Sequence, residues 1–232
     1  VELFNRLDTT VTLSGWSLKI GNYFRSIPDV SIPGKGYIVL VPASSLSLFS
    51  DSIPCIPLSL LNITDAGQLL VLYNQFGEVV HFVDFNRNWH ENSFKAEGGW
   101  SLEMIDSDNP CGGKENWNSS IDFTGGTPGR KNSVYYLNSD FTPPEILRVV
   151  VLDSIHLKII FSEIVLIDRE KELTLFQIDR NLEIESVDEV SPEKNALTIA
   201  LSAPIQPHLI YTLTVIDTLC DCVGEMVQIG SS

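Results

Sequence analysis

The chain has 232 residues, 44% of them hydrophobic, so it is long enough for one or two domains with buried cores. Its net charge of −15, from 30 acidic and 15 basic residues, would repel phosphate backbones and anionic lipid heads. Nucleic-acid and membrane-surface binding are therefore disfavoured, and no apolar run reaches the roughly 18 residues that span a bilayer. Because no basic-then-apolar leader begins at Val1, we expect either a cytoplasmic protein or a mature exported fragment without its signal.

Short strand signals, separated by turn residues, fill the first 141 residues. Apolar runs rich in β-branched and aromatic residues alternate with turns that contain glycine, proline or asparagine. The turn Asn74–Glu78 lies between two apolar runs and is typical of a hairpin. In the run that starts at Trp100, we expect Trp100 and Leu102 on one face and Ser101 and Glu103 on the other. The predicted strands are Val1–Asn5, Val11–Ile20, Tyr37–Val41, Leu69–Tyr73, Val79–Phe85 and Trp100–Ile105.

A second series of strands follows the pair Pro143-Pro144, whose stiff backbone without N–H donors suits a joint between domains. Alternation is clear in the last run, where Tyr211, Leu213 and Val215 are expected to share one face. The run 156–161 behaves similarly, and Leu157, Ile159 and Phe161 are expected to point inward. Regularly spaced strands with few helices favour a β-sandwich. We therefore predict an all-β chain of two tandem Ig-like sandwiches, with domains at 1–137 and 146–232 and a linker at 138–145. The predicted strands of the second domain are Ile146–Leu152, Ile155–Phe161, Leu173–Ile178, Ile184–Val190, Ala196–Leu201 and Tyr211–Ile216.

The four cysteines do not have the spacing of a structural zinc site, and the four histidines are scattered. No metal and no cofactor is predicted. A disulfide between Cys55 and Cys111 is the favoured pairing. Cys220 and Cys222 could bridge each other only in a strained short ring, so they are expected to be free, or one of them pairs with a segment outside this sequence.

Candidate binding residues are aromatic. In the polar segment 87–92, Trp89 could stack on a sugar ring with His90 beside it, although packing on the sheet edge is the favoured alternative. Trp117 is expected to cover an open end of the sandwich, and it is an alternative sugar-binding residue, as are Tyr23 and Phe24. No catalytic residue is predicted, because no Gly-x-Ser-x-Gly motif or other distinctive nucleophile context occurs.

Two acidic segments are candidates for calcium sites. Asp106-Ser107-Asp108-Asn109 resembles the start of a calcium loop, but position six is Cys111 and position twelve is Trp117, so a solvated turn is favoured. In the second domain, Glu163 and Asp221 could approach each other, depending on how the strands pair. That option stays open and no metal ligand is predicted.

The first 135 or so residues resemble a lamin-tail domain, an Ig-like sandwich also found in bacterial surface and secreted proteins. The resemblance lies in VELFNRLDTTVTLSGWSL, IPGKGYIVL, DAGQLLVLYNQFGEVVHFV, WSLEMID and GGTPGRKNS, and RNWHENSFKAEGGWSLE resembles the versions in Bacteroidetes. It implies a missing upstream strand, which would leave either an unpaired edge at Val1–Asn5 or an edge filled by other chain. The second domain resembles bacterial Ig-like modules in Phe161-Ser162-Glu163 and in its last hairpin, where Glu225 stands in place of the usual asparagine.

Four Asp-Ser/Thr-apolar or Asp-Thr-Thr triplets are similar to the sequence at which Bacteroidetes O-glycosylate exported proteins. The alternative is that Asp-Ser and Asp-Thr simply begin turns. The candidate acceptors are Thr9, Ser52, Ser154 and Thr218.

The leading hypothesis is a non-catalytic scaffold, spacer or adhesion module of an exported bacterial cell-envelope protein, located at the cell surface, in the periplasm or secreted. A narrower version binds carbohydrate through the aromatic residues named above. The alternative is an accessory, non-catalytic region of a larger secreted hydrolase or nuclease. The expected partners are other domains of the same exported protein and a glycan or cell-envelope protein, with no nucleic acid and no direct membrane span.

Overall fold

The computed structural model describes all residues from Val1 to Ser232, which divide into two compact units, Val1–Ser139 and Asp140–Ser232. The predicted all-β fold class is confirmed: the single α-helix, α1, is one turn long at Ser93–Ala96. No helix has the length and apolar character that crossing a membrane requires.

Unit 1 has eleven strands, six of which are only two or three residues long. Its short 3-10 turns lie at Ala43–Leu48, Arg87–Trp89 and Gly113–Asn116. The strands are β1 Glu2–Phe4, β2 Val11–Thr12, β3 Ser17–Ile20, β4 Tyr23–Ser26, β5 Ser31–Ile32, β6 Tyr37–Val41, β7 Cys55–Pro57, β8 Gly67–Tyr73, β9 Val79–Asn86, β10 Leu102–Met104 and β11 Trp117–Ser119.

Two sheets enclose the core of unit 1. The larger has the order β4-β3-β8-β9 with antiparallel neighbours, and the smaller has the order β1-β6-β7, in which β6 and β7 are parallel. Leu18 and Leu70 from the larger sheet belong to one buried cluster with Ile38 and Leu40 from the smaller. Leu40 is fully buried, which contributes about 1.5–3 kcal/mol. The shared cluster makes unit 1 a sandwich.

Local geometry modifies two strand predictions in unit 1. The predicted strand Val11–Ile20 is two strands, because the chain turns at Gly15 with a φ of +74°. A side chain there would also meet Gln75 Cβ at 3.0 Å, so this turn favours glycine. At Val1–Asn5, β1 pairs with β6 on one side and is the outer strand of its sheet.

In unit 2, a four-stranded sheet of order β12-β13-β16-β15 packs against the antiparallel pair β14-β17. The predicted alternation holds, since Leu157, Ile159 and Phe161 are all buried in β13. Leu213 and Val215 from β17 join them in one core cluster. A 3-10 turn occupies Glu172–Thr174. The strands are β12 Ile146–Val151, β13 His156–Phe161, β14 Phe176–Ile178, β15 Ile184–Glu189, β16 Ala196–Leu201 and β17 Leu213–Val215.

The predicted disulfide between Cys55 and Cys111 is wrong. Cys55 is a free cysteine, paired through its backbone with Val39 in the parallel β6–β7 ladder. Cys111 is disulfide-bonded, so it does not use Cys55. In unit 2, Cys220 is free and Cys222 is disulfide-bonded, an outcome that the sequence left open. Sequence separation carries no information on the distance between two thiols, which decides whether they can bond.

Candidate functional site

Trp89, His90 and Trp117 lie together in unit 1. Trp89 ends the 3-10 turn that follows β9, and the Asn86 side chain caps this turn by accepting a bond from the Asn88 N–H at 3.0 Å. Trp117 begins β11, and the two indole rings have centroids 6.5 Å apart at 42°. Both rings are half-buried. Each ring is therefore partly covered by the protein and partly accessible to solvent.

His90 is held by Ser119 at the edge of that pair. Its Nδ1 lies 2.9 Å from Ser119 Oγ, which also accepts the Glu91 N–H at 3.0 Å. Burial lowers the pKa of His90, and the charges of Lys95 and Arg87 lower it further. A neutral, fixed imidazole can orient a ligand hydroxyl, but it has no nucleophile to activate beyond the buried Ser119.

Tyr23 and Phe24 lie on β4, the edge strand of the larger sheet, and are 67% and 58% exposed. Neighbouring residues of a strand point to opposite faces, so these two rings do not form one platform. Phe24 instead meets Tyr73 of β8, with ring centroids 5.5 Å apart at 44°. Tyr23 has the Arg25 guanidinium 5.3 Å from its ring centre.

A buried carboxylate, Glu103, organises the segment that follows β10. Only 4% of the residue is exposed. One carboxylate oxygen accepts the Ser101 and Thr127 hydroxyls at 3.2 and 2.8 Å. The other accepts the Ser133 N–H at 2.8 Å and the Ser133 hydroxyl at 2.7 Å. Burial by itself would raise the pKa of Glu103, but bonds from Ser133, Thr127 and Ser120 outweigh it and lower the pKa.

A second buried network holds the loop 106–109, the candidate calcium loop of the sequence. Asp106 accepts the Asp108 N–H on one carboxylate oxygen and the Asn138 N–H on the other, each at 2.9 Å. Asn116 donates to the Asp106 and Asn109 carbonyls and accepts the Asp106 N–H. Both carboxylate oxygens of Asp106 are thus engaged by backbone amides, as in a structural turn. The Asn109 amide oxygen is buried without a protein partner.

In unit 2, Glu163 and Asp221 do approach each other, and Asp140 joins them. One carboxylate oxygen from each of the three lies within 4.8 Å of the other two. Asp221 is almost fully buried, and its Oδ1 accepts the N–H groups of Val223, Gly224 and Glu225 at 2.7–2.9 Å. Sequence reasoning missed Asp140, because it lies in the segment assigned to the linker.

The three carboxylates repel one another. Burial raises the pKa of Glu163 to about 7, and the charges of Asp140 and Asp221 add to the shift. A proton on Glu163 relieves the repulsion, and so would a hard divalent cation, since carboxylate oxygens are the ligands that Ca²⁺ prefers.

All four candidate O-glycosylation residues are exposed. Two of the preceding aspartates also hold turns: Asp153 Oδ1 accepts the Ile155 N–H at 2.9 Å, and Asp217 Oδ1 accepts the Thr218 N–H at 2.6 Å. The turn interpretation and the glycosylation interpretation are therefore compatible at these positions.

No protein-family model matches the chain. No curated protein matches it either. Among solved structures, it is similar to the bacterial S-layer protein rSbsC, with 21% identity and a TM-score of 0.34 over 38% of this chain and 13% of that one. The N-terminal part of the S-layer protein SbsC gives 24% identity and the same TM-score, over 38% of this chain and 22% of that one. The chain thus spans a small share of both proteins, and at this TM-score neither likeness carries an argument, so the lamin-tail resemblance stays a prediction.

Proposed function

We propose that the chain is a non-catalytic module of an exported bacterial cell-envelope protein, in which two β-sandwiches act as a scaffold, spacer or adhesive surface. The observation that carries this proposal is that the buried polar side chains of unit 1 form hydrogen bonds within their own unit. The segment 101–138, which includes β10 and β11, receives the hydrogen bonds of Glu103, Asp106 and Asn116. Such groups stabilise the end of a sandwich and do not assemble a reaction centre.

Export is supported by the cysteines. Cys111 and Cys222 are both disulfide-bonded, and disulfides persist in oxidising compartments outside the cytosol. Other domains of the same protein and a glycan or cell-envelope protein are the proposed partners. The acidic surface makes nucleic acid an unfavourable partner.

Protease shaving of intact native cells tests this location. We expect peptides of the chain in the shaved fraction, while a cytosolic marker protein stays intact inside the cells. Recovery of the chain only after lysis, with all four cysteines reactive toward a thiol reagent, would overturn the proposal.

We also propose that the exposed Asp-Ser/Thr turns carry O-linked glycans in the native host. Mass spectrometry of the protein purified from that host should find modified peptides, and the same protein expressed without that pathway is the control. Unmodified peptides at every one of the candidates would remove this part of the proposal: Thr9, Ser52, Ser154 and Thr218.

A further inference from the structure

The outer face of the larger sheet of unit 1 carries an aromatic pair that the core does not use. Leu18 and Ile20 of β3 point into the core, so Ser17 and Lys19 lie on the opposite face. Lys19 pairs with Phe24 on one side, and Ser17 pairs with Tyr73 on the other. All four residues therefore share the outer face. This face is covered at Val71, the other partner of Lys19, which is fully buried, and it is exposed at Phe24 on the edge strand.

The two rings meet diagonally across β3, because Phe24 pairs with Lys19 and Tyr73 pairs with Ser17, two residues earlier. Phe24 and Tyr73 lie on the two strands that flank β3, and their centroids are only 5.5 Å apart. The Phe24 ring is 58% exposed. Because both rings stand on paired strands and not on loops, they are held in place before any ligand arrives. We call Phe24, Tyr73 and Lys19 the aromatic ledge.

Lys19 supplies a positive charge at the ledge. Its Nζ lies 5.7 Å from the centre of the Phe24 ring, a cation–π distance. It takes part in none of the ion pairs of this acidic chain. The ammonium group is therefore available to an external anion, next to an exposed aromatic face.

We propose that the aromatic ledge binds an acidic oligosaccharide, with a uronic-acid ring stacked on Phe24 and its carboxylate on Lys19. The C–H face of a pyranose is weakly positive, which complements the negative face of an aromatic ring. A carboxylate beside that face complements the ammonium group. This inference rests on the proposed surface role, and it names the ligand class of that surface.

Two other ligand classes fit the ledge less well. A long polyanion such as nucleic acid would meet the repulsion of a chain with a net charge of −15. An added peptide strand would use the backbone of β4, where the Phe24 carbonyl already accepts a bond from Arg25 Nη1 at 3.0 Å. A short acidic sugar needs only the ring face and one ammonium group.

Calorimetric titration of the full chain tests the proposal, with trigalacturonate as the acidic probe and cellotriose as the neutral one. We expect saturable binding that is tighter for trigalacturonate. Phe24→Ala should weaken it roughly 10-fold, the effect of about 1.4 kcal/mol. Lys19→Gln should remove the preference for the acidic sugar. The matched control is Phe76→Ala, which truncates another exposed phenylalanine of the same unit, in the β8–β9 turn, and should leave binding unchanged.

Absence of saturable binding to trigalacturonate would overturn the proposal that the aromatic ledge binds an acidic sugar. An equal loss of affinity in the Phe24→Ala and Phe76→Ala variants would overturn it too. Retention of the full acidic preference by Lys19→Gln would overturn the role of Lys19. These outcomes are distinct from failure of the proposed function, because protease shaving locates the chain whether or not the ledge binds sugar. The far-UV circular dichroism of each variant, compared with the parent, shows whether it folds.

Discussion

Removing the Glu103 carboxylate should destabilise unit 1 strongly. In Glu103→Ala, the Thr127 hydroxyl and the Ser133 N–H lose their acceptor. The hydroxyls of Ser101 and Ser133 lose one too, but they keep contacts to the Gly125 carbonyl at 3.3 Å and to Ser120 Oγ at 3.0 Å. A buried group left unpaired costs about 1–3 kcal/mol, but hydroxyls can rotate toward other acceptors. Counting mainly the backbone N–H and one hydroxyl, we expect a loss of about 4 kcal/mol in the free energy of unfolding. Glu103→Gln keeps one carbonyl acceptor, so about 2 kcal/mol is expected.

Urea unfolding followed by tryptophan fluorescence measures this effect in the full chain. All four tryptophans lie in unit 1, so the signal reports that unit alone. Glu97→Gln is the matched control, since this glutamate is exposed and only its backbone N–H is hydrogen-bonded, to the Lys95 carbonyl, so the change should stay within about 0.5 kcal/mol. A loss in Glu103→Ala no larger than in this control would refute the account of the network.

The pH dependence of the Glu103 effect has a definite sign. The pKa of Glu103 is lowered by folding, so its contribution is complete above the unfolded value of 4.5 and is lost as pH falls through the folded value. The difference between the parent and Glu103→Gln should therefore shrink in acid, below pH 4.5.

Two further predictions concern unit 2 and the cysteines. Folding raises the pKa of Glu163 from 4.5 to about 7, so the stabilisation it gives when protonated is complete below pH 4.5 and is lost as pH rises through about 7. Glu163→Gln should raise the thermal midpoint seen by circular dichroism at pH 8 and leave it unchanged at pH 4; an unchanged midpoint at pH 8 would contradict the repulsion among the carboxylates. Alkylation of the unfolded, unreduced chain should label Cys55 and Cys220, and label Cys111 and Cys222 only after reduction, whereas protection of Cys55 would contradict the structure.

Several features of the candidate sites were within reach of sequence reasoning. The approach of Glu163 and Asp221 was anticipated as an option, because each follows a strand of the same predicted sandwich. Tyr23-Phe24 was singled out, but β4 was not predicted as a strand, so the opposite directions of its two side chains were missed. Once β4 is assigned, the period of two alone separates these rings.

Other features depended on contacts between distant segments. Alternation places Glu103 on the face opposite Leu102 but does not say what covers that face, which is the returning segment with Thr127 and Ser133. Asp140 reaches Glu163 and Asp221 only in the folded unit. The predicted disulfide between Cys55 and Cys111 fails for the same reason, because the distance between two thiols follows from the fold and not from spacing.

The sequence by itself determined the all-β class and the inward residues of strands such as β13, because alternation is a local property that needs no knowledge of the partner strand. Only the tertiary structure decided which polar groups are buried, which carboxylates meet and which rings share a face. Those outcomes depend on strand register and on loops that return from far along the chain, and a residue's neighbours in sequence carry no record of either.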